Sequence, residues 1–398
     1  MAISGLAVTF PFMNLSAAFG AGVGVGSSSY LSVKLGQRDY STAQRILGNN
    51  ITLNIIIGFI FSVVSLIFLD PILYFFGASD QTIPYAREYM IIILLGNIIT
   101  HLYFGMNAVL RAASKPRQAM YTTIFTVVLN SILDPLFIYT FDMGIRGAAI
   151  ATIISQTVAL VWQIRLFSDK GELLHLKRGI YRLDNRIVKN ILGIGISPFA
   201  MNATACLVAI FVNQRLLEYG GDLAVGAFGI ANRVAFIFIM INFGVNQGMQ
   251  PIAGYNYGAQ NYDRLMRVLK LAMIAGTCIT TSGFLVAEFI PHICVRLFTS
   301  DSELTELSVN GLRIMMAAMP IVGYQMIVTN FFQSIGKAKI SIFLSLSRQL
   351  LFLVPLIGVM PLFFGVNGVW VAMPISDSFS AIFALVMMVR YMRVFKKR

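Results

Sequence analysis

Charge is scarce in this sequence. Asp, Glu, Lys and Arg make up 12% of the 398 residues, about half the roughly 25% of a soluble domain, which excludes an ordinary water-soluble fold. Cysteine occurs three times, at Cys206, Cys278 and Cys294, each in an apolar stretch without ligand or redox spacing. A disulfide framework and a zinc site are therefore excluded, and the three are read as packing residues. There is no cluster of metal ligands, no nucleophile–base motif and no phosphate-binding loop of the GxxxxGK type. An enzyme is not expected, no cofactor is required, and ion gradients rather than ATP must supply any driving force. Gly20-Ala-Gly22-Val-Gly24-Val-Gly26 lacks the spacing and the preceding strand of a nucleotide loop; close helix packing or a flexible bend is its expected use. Strand-length alternation is missing too, against an outer-membrane barrel. Met1-Ala-Ile-Ser carries no positive leader, against a cleavable signal peptide.

What is present is apolar and long. Hydrophobic residues make up 57% of the chain, and they run uninterrupted over helix-spanning lengths of about 20 residues. Only helices satisfy their own backbone in lipid without closing a barrel, so the fold class is an all-α polytopic membrane protein. Eleven helices are predicted at 2–33, 43–69, 84–112, 117–140, 144–166, 189–217, 222–256, 263–290, 304–335, 338–362 and 366–392. Basic residues sort these spans. Of the 30 Lys and Arg, 23 fall on one side, including Lys34, Arg38, Arg45, Lys115, Arg264 and the tail from Arg390 to Arg398. Five fall on the other, at Arg87, Arg146, Arg215, Arg296 and Arg313. The first side is cytoplasmic by the positive-inside rule, which puts the carboxyl terminus inside a multi-pass bacterial inner membrane. The net charge of +13 then belongs to lipid-facing loops, not to nucleic acid.

The chain repeats itself at an offset of about 221 residues. Gly36-x-x-x-Tyr40 recurs as Gly258-x-x-x-Tyr262, Ser79-Asp80 as Ser300-Asp301, Lys115-x-Arg117 as Lys337-x-Lys339, and Pro135 as Pro355. Gly144-x-x-Gly147-x-x-x-Ala151 recurs as Gly365-x-x-Gly368-x-x-x-Ala372. Two pseudo-symmetric helical bundles follow: an N-lobe over 1–167, a cytoplasmic linker over 168–187 and a C-lobe over 188–398. The register leaves the 189–217 helix without a first-half counterpart, so five helices are present in the first half and six in the second, with twelve expected for the intact plan. Were that helix absent, the first half would hold an open groove beside Asp134.

Four charges are expected inside the membrane. Asp134 lies about 17 residues, roughly 25 Å, along its helix, where an isolated carboxylate costs at least about 2.5–3.5 kcal/mol. Asn130 stands one turn earlier on the same face, and Pro135 frees a carbonyl near Ser131. These oxygens suit a small cation such as Na⁺; alternatively Asp134 exchanges a proton, or is hydrogen-bonded between helices to fix packing. Arg348 and Asp377 fall at similar depth on consecutive antiparallel helices and are expected to form a buried ion pair, either a clamp or a part of coupling. Arg233 has no evident partner. Met315, Met316, Met319, Met326, Phe331 and Phe332 are read either as a polarizable cavity wall or as packing. His101 is read as a hydrogen-bonded packing residue, and Pro11, Pro198, Pro251, Pro320 and Pro374 as candidate hinges.

Asn246-Gln-Gly-Met-Gln-Pro251-Ile-Ala-Gly254-Tyr-Asn-Tyr-Gly258-Ala, Leu35-Gly-Gln-Arg-Asp-Tyr40 with Ala43, and Asn130-Ser-Ile-Leu-Asp134-Pro135 together resemble the multidrug and toxic compound extrusion (MATE) family, in its bacterial form, over the whole chain. The resemblance implies a secondary antiporter that expels amphipathic cationic drugs or dyes in exchange for Na⁺ or H⁺ by alternating access. It implies that Asn130, Asp134 and Thr152 match a first-half cation site, with Arg233, Met319, Met326 and Phe331 as candidate cavity residues. Many bacterial members also carry a carboxylate on the first helix, which has no counterpart here. A monomer in the lipid bilayer is expected. A lipid-linked oligosaccharide flippase of the same superfamily and a truncated, non-transporting homologue are the alternatives.

Overall fold

The computed structural model describes residues 2–396, with side chains from 9 to 393, and these are helical nearly throughout. They divide into two compact units, Met1–Asn202 and Ala203–Arg398. Unit 1 opens with α1 (Ala2–Gly36), α2 (Tyr40–Ile67) and α3 (Leu69–Phe75). It continues through α4 (Ile83–Leu95), α5 (Asn97–Ala112), α6 (Pro116–Pro135) and α7 (Gly144–Ser168). Next comes α8 (Asn185–Gly258), which crosses into unit 2 and contains a non-helical residue, Gly221, at φ 64 and ψ −168. Unit 2 continues with α9 (Tyr262–Phe289), α10 (Pro291–Arg296), α11 (Ser302–Met316), α12 (Met319–Ser334), α13 (Ala338–Leu346), α14 (Val354–Phe364) and α15 (Val366–Lys396).

Seven helices are long and apolar enough to cross a membrane, or nine when each bent pair is one span. With α1 added and the two arms of α8 counted apart, the described residues hold the eleven helices expected. Two of those spans are broken. α4 and α5 meet at 54°, and α11 and α12 at 50°. In the second pair Pro320 withholds the hydrogen bond that would close the turn over Met316. The first has no proline at its break. There Ile153 packs so closely on Gly96 that a β-carbon could not fit, and the Ser62 hydroxyl donates to the Leu94 carbonyl at 2.8 Å. Pro11 and Pro374, by contrast, sit inside continuous helices.

The repeat seen in the sequence is repeated in backbone detail. Each unit turns from its first long helix into the next through a residue in the left-handed region, Arg38 at φ 59 and Gln260 at φ 58. A helix cap follows at once: Asp39 accepts from the Thr42 amide at 3.1 Å, and Asn261 from the Arg264 amide at 3.4 Å. A π-helical turn lies at Leu136–Thr140 in unit 1 and at Ser347–Leu353 in unit 2.

Each unit also buries a polar cluster at the same point of the repeat, with the helix roles exchanged. In unit 1 Asn50 and Asn54 of α2 and His101 of α5 are fully buried. Gly20 of α1 lies against His101, and Gly105 of α5 against Asn54. In unit 2 the buried polar side chains are Asn242 and Asn246 of α8 and Thr280 of α9. Here Gly276 and Gly323 supply the space. In each unit a glycine beside these buried polar side chains lets the neighbouring helix close over them. Gly24 likewise meets Gly105, while Gly22 and Gly26 face the backbone of Ile191 and Gly195 on the first arm of α8. The alternate-residue glycine run is thus a two-sided packing surface.

The segment between α7 and α8, expected from the sequence as a polar linker, is held along α2. Gln44 exchanges two hydrogen bonds with the backbone of His175. Asn49 donates to the Arg182 carbonyl at 3.2 Å and accepts from the Asp184 amide at 3.0 Å, and Thr52 donates to the Tyr181 carbonyl at 2.9 Å. Gly48 allows this approach, since a β-carbon there would collide with the Ile180 carbonyl. The segment is therefore stitched along three turns of α2. Leu174, Ile187 and Ile191 join the core of unit 1, so the boundary between the units falls inside α8 instead of at 187/188.

These contacts set the response of the fold to acid and to crowding at α2. Partial burial works against ionisation of Asp39, but hydrogen bonds from Thr42 and the Lys34 ammonium at 3.1 Å prevail and lower its pKa from 3.8 to about 2. A depressed carboxylate pKa stabilises at neutral pH, and the contribution is lost as pH falls from about 4 to about 2. Asp39→Ala should cost about 1 kcal/mol in urea or thermal unfolding of the solubilised protein and flatten the loss of stability in that acid window. Gly48→Val should displace the stitched segment at a cost of about 1–3 kcal/mol and speed tryptic cleavage at Lys177 and Arg178; unchanged cleavage would show that the stitching is dispensable.

Candidate functional site

Asp134 sits in the last turn of α6, where Pro135 and the π-helical turn at Leu136–Thr140 interrupt regular hydrogen bonding. Gly147 of α7 rests directly on the Phe137 backbone, which brings α7 close enough to present Thr152. The Asn130 amide nitrogen donates to Asp134 Oδ1 at 3.0 Å and reaches Thr152 Oγ1 at 3.5 Å. Thr152 in turn donates to the Ala148 carbonyl at 3.0 Å, one turn back. The three residues expected from the sequence are thus brought together, and each is half-buried.

The partners of Asp134 are neutral. Among the described residues, none of its neighbours forms an ion pair with it. In this arrangement Asn130 serves the carboxylate as a donor. To offer its oxygen to a metal cation the amide would turn over, which costs one hydrogen bond and gains one ligand. A carboxylate, a hydroxyl and an invertible amide can accept either a proton or a small hard cation. Tyr89 of α4 lies close enough to sense the Asp134 charge. It was not singled out from the sequence, since a tyrosine on a helix two elements earlier carries no positional signal.

The expected pair in unit 2 is also formed. Arg348 Nε donates to Asp377 Oδ1 at 2.6 Å, and the Ser376 hydroxyl donates to the Arg348 carbonyl at 2.7 Å. Arg233 is exposed and forms no ion pair among the described residues. Met319 and Phe331 are buried in the cores of unit 2, with Met316 and Phe332, and Met326 packs on that core and takes the weak Asn242 contact through its sulfur at 3.5 Å. These residues are set in packed interior more than in any wall. His101 is fully buried, with Nε2 3.4 Å from the Ser16 hydroxyl.

Unit 1 does hold an open apolar groove, of about 890 Å³. Phe12 and Phe19 of α1, Phe61 of α2, Phe76 beyond α3, and Ile196 and Phe199 of α8 line much of it. It does not adjoin Asp134: no residue of α6 or α7 contributes to its lining. The groove follows the helices that carry the aromatic residues, and the acidic site opens elsewhere.

Comparison with known proteins agrees with this geometry. The MatE family model matches twice, over residues 1–136 and 196–357, and the two matches end at the same offset as the internal repeat. Multidrug export protein MepA of Staphylococcus haemolyticus is 27% identical over 383 residues, spanning 96% of this chain and 84% of that protein. The counterpart from Staphylococcus aureus strain N315 matches equally, at 27% over 383 residues with the same coverage. Among solved structures, the MATE multidrug transporter DinF-BH, solved in complex with a dye, superposes with a TM-score of 0.90 at 34% identity, over 99% of this chain and 88% of that one. An outward-facing multidrug resistance MATE transporter of the MOP superfamily superposes with a TM-score of 0.93 at 24% identity, over 100% and 89%. With the family model covering most of both halves, this chain belongs to the MATE family of efflux transporters.

Proposed function

We infer that this chain exports amphipathic cationic compounds across the bacterial inner membrane by exchanging them for Na⁺ or H⁺, with Asp134 as the exchange site. The observation that carries the reading is an intramembrane carboxylate whose hydrogen-bond partner, Asn130, is neutral and is itself shared with the neutral Thr152 hydroxyl. Such a group costs free energy in lipid unless a cation neutralises it, so it binds whichever cation the cycle delivers. The names of the relatives support drugs as cargo: MepA is a multidrug exporter, and DinF-BH was solved with a dye. Cation and drug would displace one another during alternating access, and linkage of about 1–3 kcal/mol shifts affinity 5–150-fold.

A flippase for anionic pyrophosphate lipids would need several free basic groups within the membrane. Arg348 is taken up by Asp377, which leaves Arg233 as the one of the two expected mid-membrane arginines without an ion partner among the described residues. That balance favours a cationic cargo.

Asp134→Asn should reduce ethidium efflux from expressing cells by tenfold or more, at unchanged expression and unchanged elution in size exclusion. Efflux equal to wild type would remove Asp134 from the mechanism. Asn130→Ala removes one hydrogen bond or ligand, worth about 1–1.5 kcal/mol, and should weaken the apparent cation affinity of efflux in proteoliposomes roughly tenfold with the maximal rate retained. Imposing a Na⁺ gradient alone and then a pH gradient alone in the same vesicles assigns the coupling ion.

A further inference from the structure

The charged groups of the two units stand on the same pair of repeat helices. In unit 1 they are α6, with Asn130 and Asp134, and α7, with Thr152. Their repeat counterparts in unit 2 are the run from α13 through the π-helical turn to α14, with Arg348, and α15, with Asp377. By the register of Gly144 with Gly365, Asp377 falls one helical turn deeper than the position of Thr152, and its carboxylate is on the second helix of the pair instead of the first. Each unit therefore carries a single acidic group at its α6–α7-type helix pair. What differs is the partner.

Asp377 is 7% exposed, and its Oδ1 receives the Arg348 Nε proton at 2.6 Å. The Arg348 main chain is itself held, because the neighbouring Ser376 hydroxyl donates to its carbonyl at 2.7 Å. That carbonyl lies in the π-helical turn, where the regular ladder is interrupted. The guanidinium is a permanent cation, and here it is fixed by a covalent tether and a second hydrogen bond between the same two helices. A carboxylate so neutralised has no need of a diffusible ion, whereas Asp134, hydrogen-bonded to the neutral Asn130 and without an ion pair among the described residues, does.

We propose that Asp377 is a second monovalent-cation site of the Na⁺ or H⁺ class, kept masked because the Arg348 guanidinium occupies it. Arg348 is then the residue that holds the exchange to a single cation per cycle. The inference rests on the Asp134 reading only for the wild-type baseline, since the masking itself is a property of unit 2.

Cation capacity of the purified, detergent-solubilised protein tests this, with ²²Na⁺ binding for Na⁺ and indicator-monitored proton uptake for H⁺. Wild type should take up one cation per chain, and Arg348→Gln two. The added site should persist in Arg348→Gln/Asp134→Asn and vanish in Arg348→Gln/Asp377→Asn. Arg348→Lys, which keeps a tethered charge, should stay at the wild-type value. A folded Arg348→Gln protein with unchanged capacity, or a gain that survives Asp377→Asn, overturns the proposal. Where the unpaired carboxylate prevents Arg348→Gln from folding, Arg348→Met/Asp377→Leu removes both charges together. That variant should match the wild-type capacity, and a lower value would show that the pair itself holds an exchangeable ion. Failure of the Asp134 reading is seen separately, as an Asp134→Asn protein that binds as much as wild type.

Discussion

An ionised carboxylate inside a hydrocarbon layer must be neutralised, and the two halves of this transporter meet that constraint in opposite ways. Unit 2 supplies its own cation: Arg348 closes on Asp377 at 2.6 Å. Unit 1 supplies none: Asp134 receives a hydrogen bond from Asn130, whose amide also reaches Thr152, and neither neutral group discharges it. Replacing one partner of a buried pair is costly because the other is left unpaired. A site that lacks a built-in partner instead changes its energy with every ion that enters or leaves. On the exchange mechanism proposed above, that difference would let unit 2 act as scaffold while unit 1 responds to the ion gradient.

The rest of the fold keeps the helices close enough for this to matter. Lipid offers helices no hydrophobic reason to associate, so contact depends on small residues and interhelical hydrogen bonds. Both devices are concentrated here. Gly20, Gly24 and Gly105 admit His101 and Asn54 in unit 1, and Gly276 and Gly323 admit Asn242 and Thr280 in unit 2. Between the two units the polar groups and the glycines have exchanged helices. The stitched segment over α2 extends the same chemistry to the connection between α7 and α8, where Gln44, Asn49 and Thr52 hold backbone carbonyls and amides that a loop would otherwise leave to water.

Much of this was legible in the sequence because membrane burial and duplication both leave linear traces. Apolar run lengths gave the eleven helices, and the offset of Gly36-x-x-x-Tyr40 to Gly258-x-x-x-Tyr262 marked two equivalent turns; the left-handed residue and the cap that each contains are seen only in the structure. Asn130 and Asp134 were legible by helical spacing, and Arg348 with Asp377 by depth. What escaped was set by tertiary contact. The bend at Gly96 depends on Ile153, far along the chain. Linker residues rich in Lys, Arg and Asp look solvated, yet their main chain is held by α2, and side chain-to-backbone bonds have no pattern in the bound segment. Met319 and Phe331 could be read as wall or core from their chemistry alone; only packing shows them in the core. The expected groove beside Asp134 is not the one found, whose aromatic lining lies on α1 to α3 and α8 and not beside α6.

The central claim is that Asp134 is the one diffusible-cation site of the wild-type chain, and the most direct measurement is the number of cations released when the purified protein binds a cationic dye. Saturating wild-type protein with ethidium in lightly buffered detergent solution, while following released protons and released ²²Na⁺ together, should yield a single cation per dye bound. Release of none would contradict a mutually exclusive site at Asp134, and release of two would contradict the masking of Asp377 by Arg348.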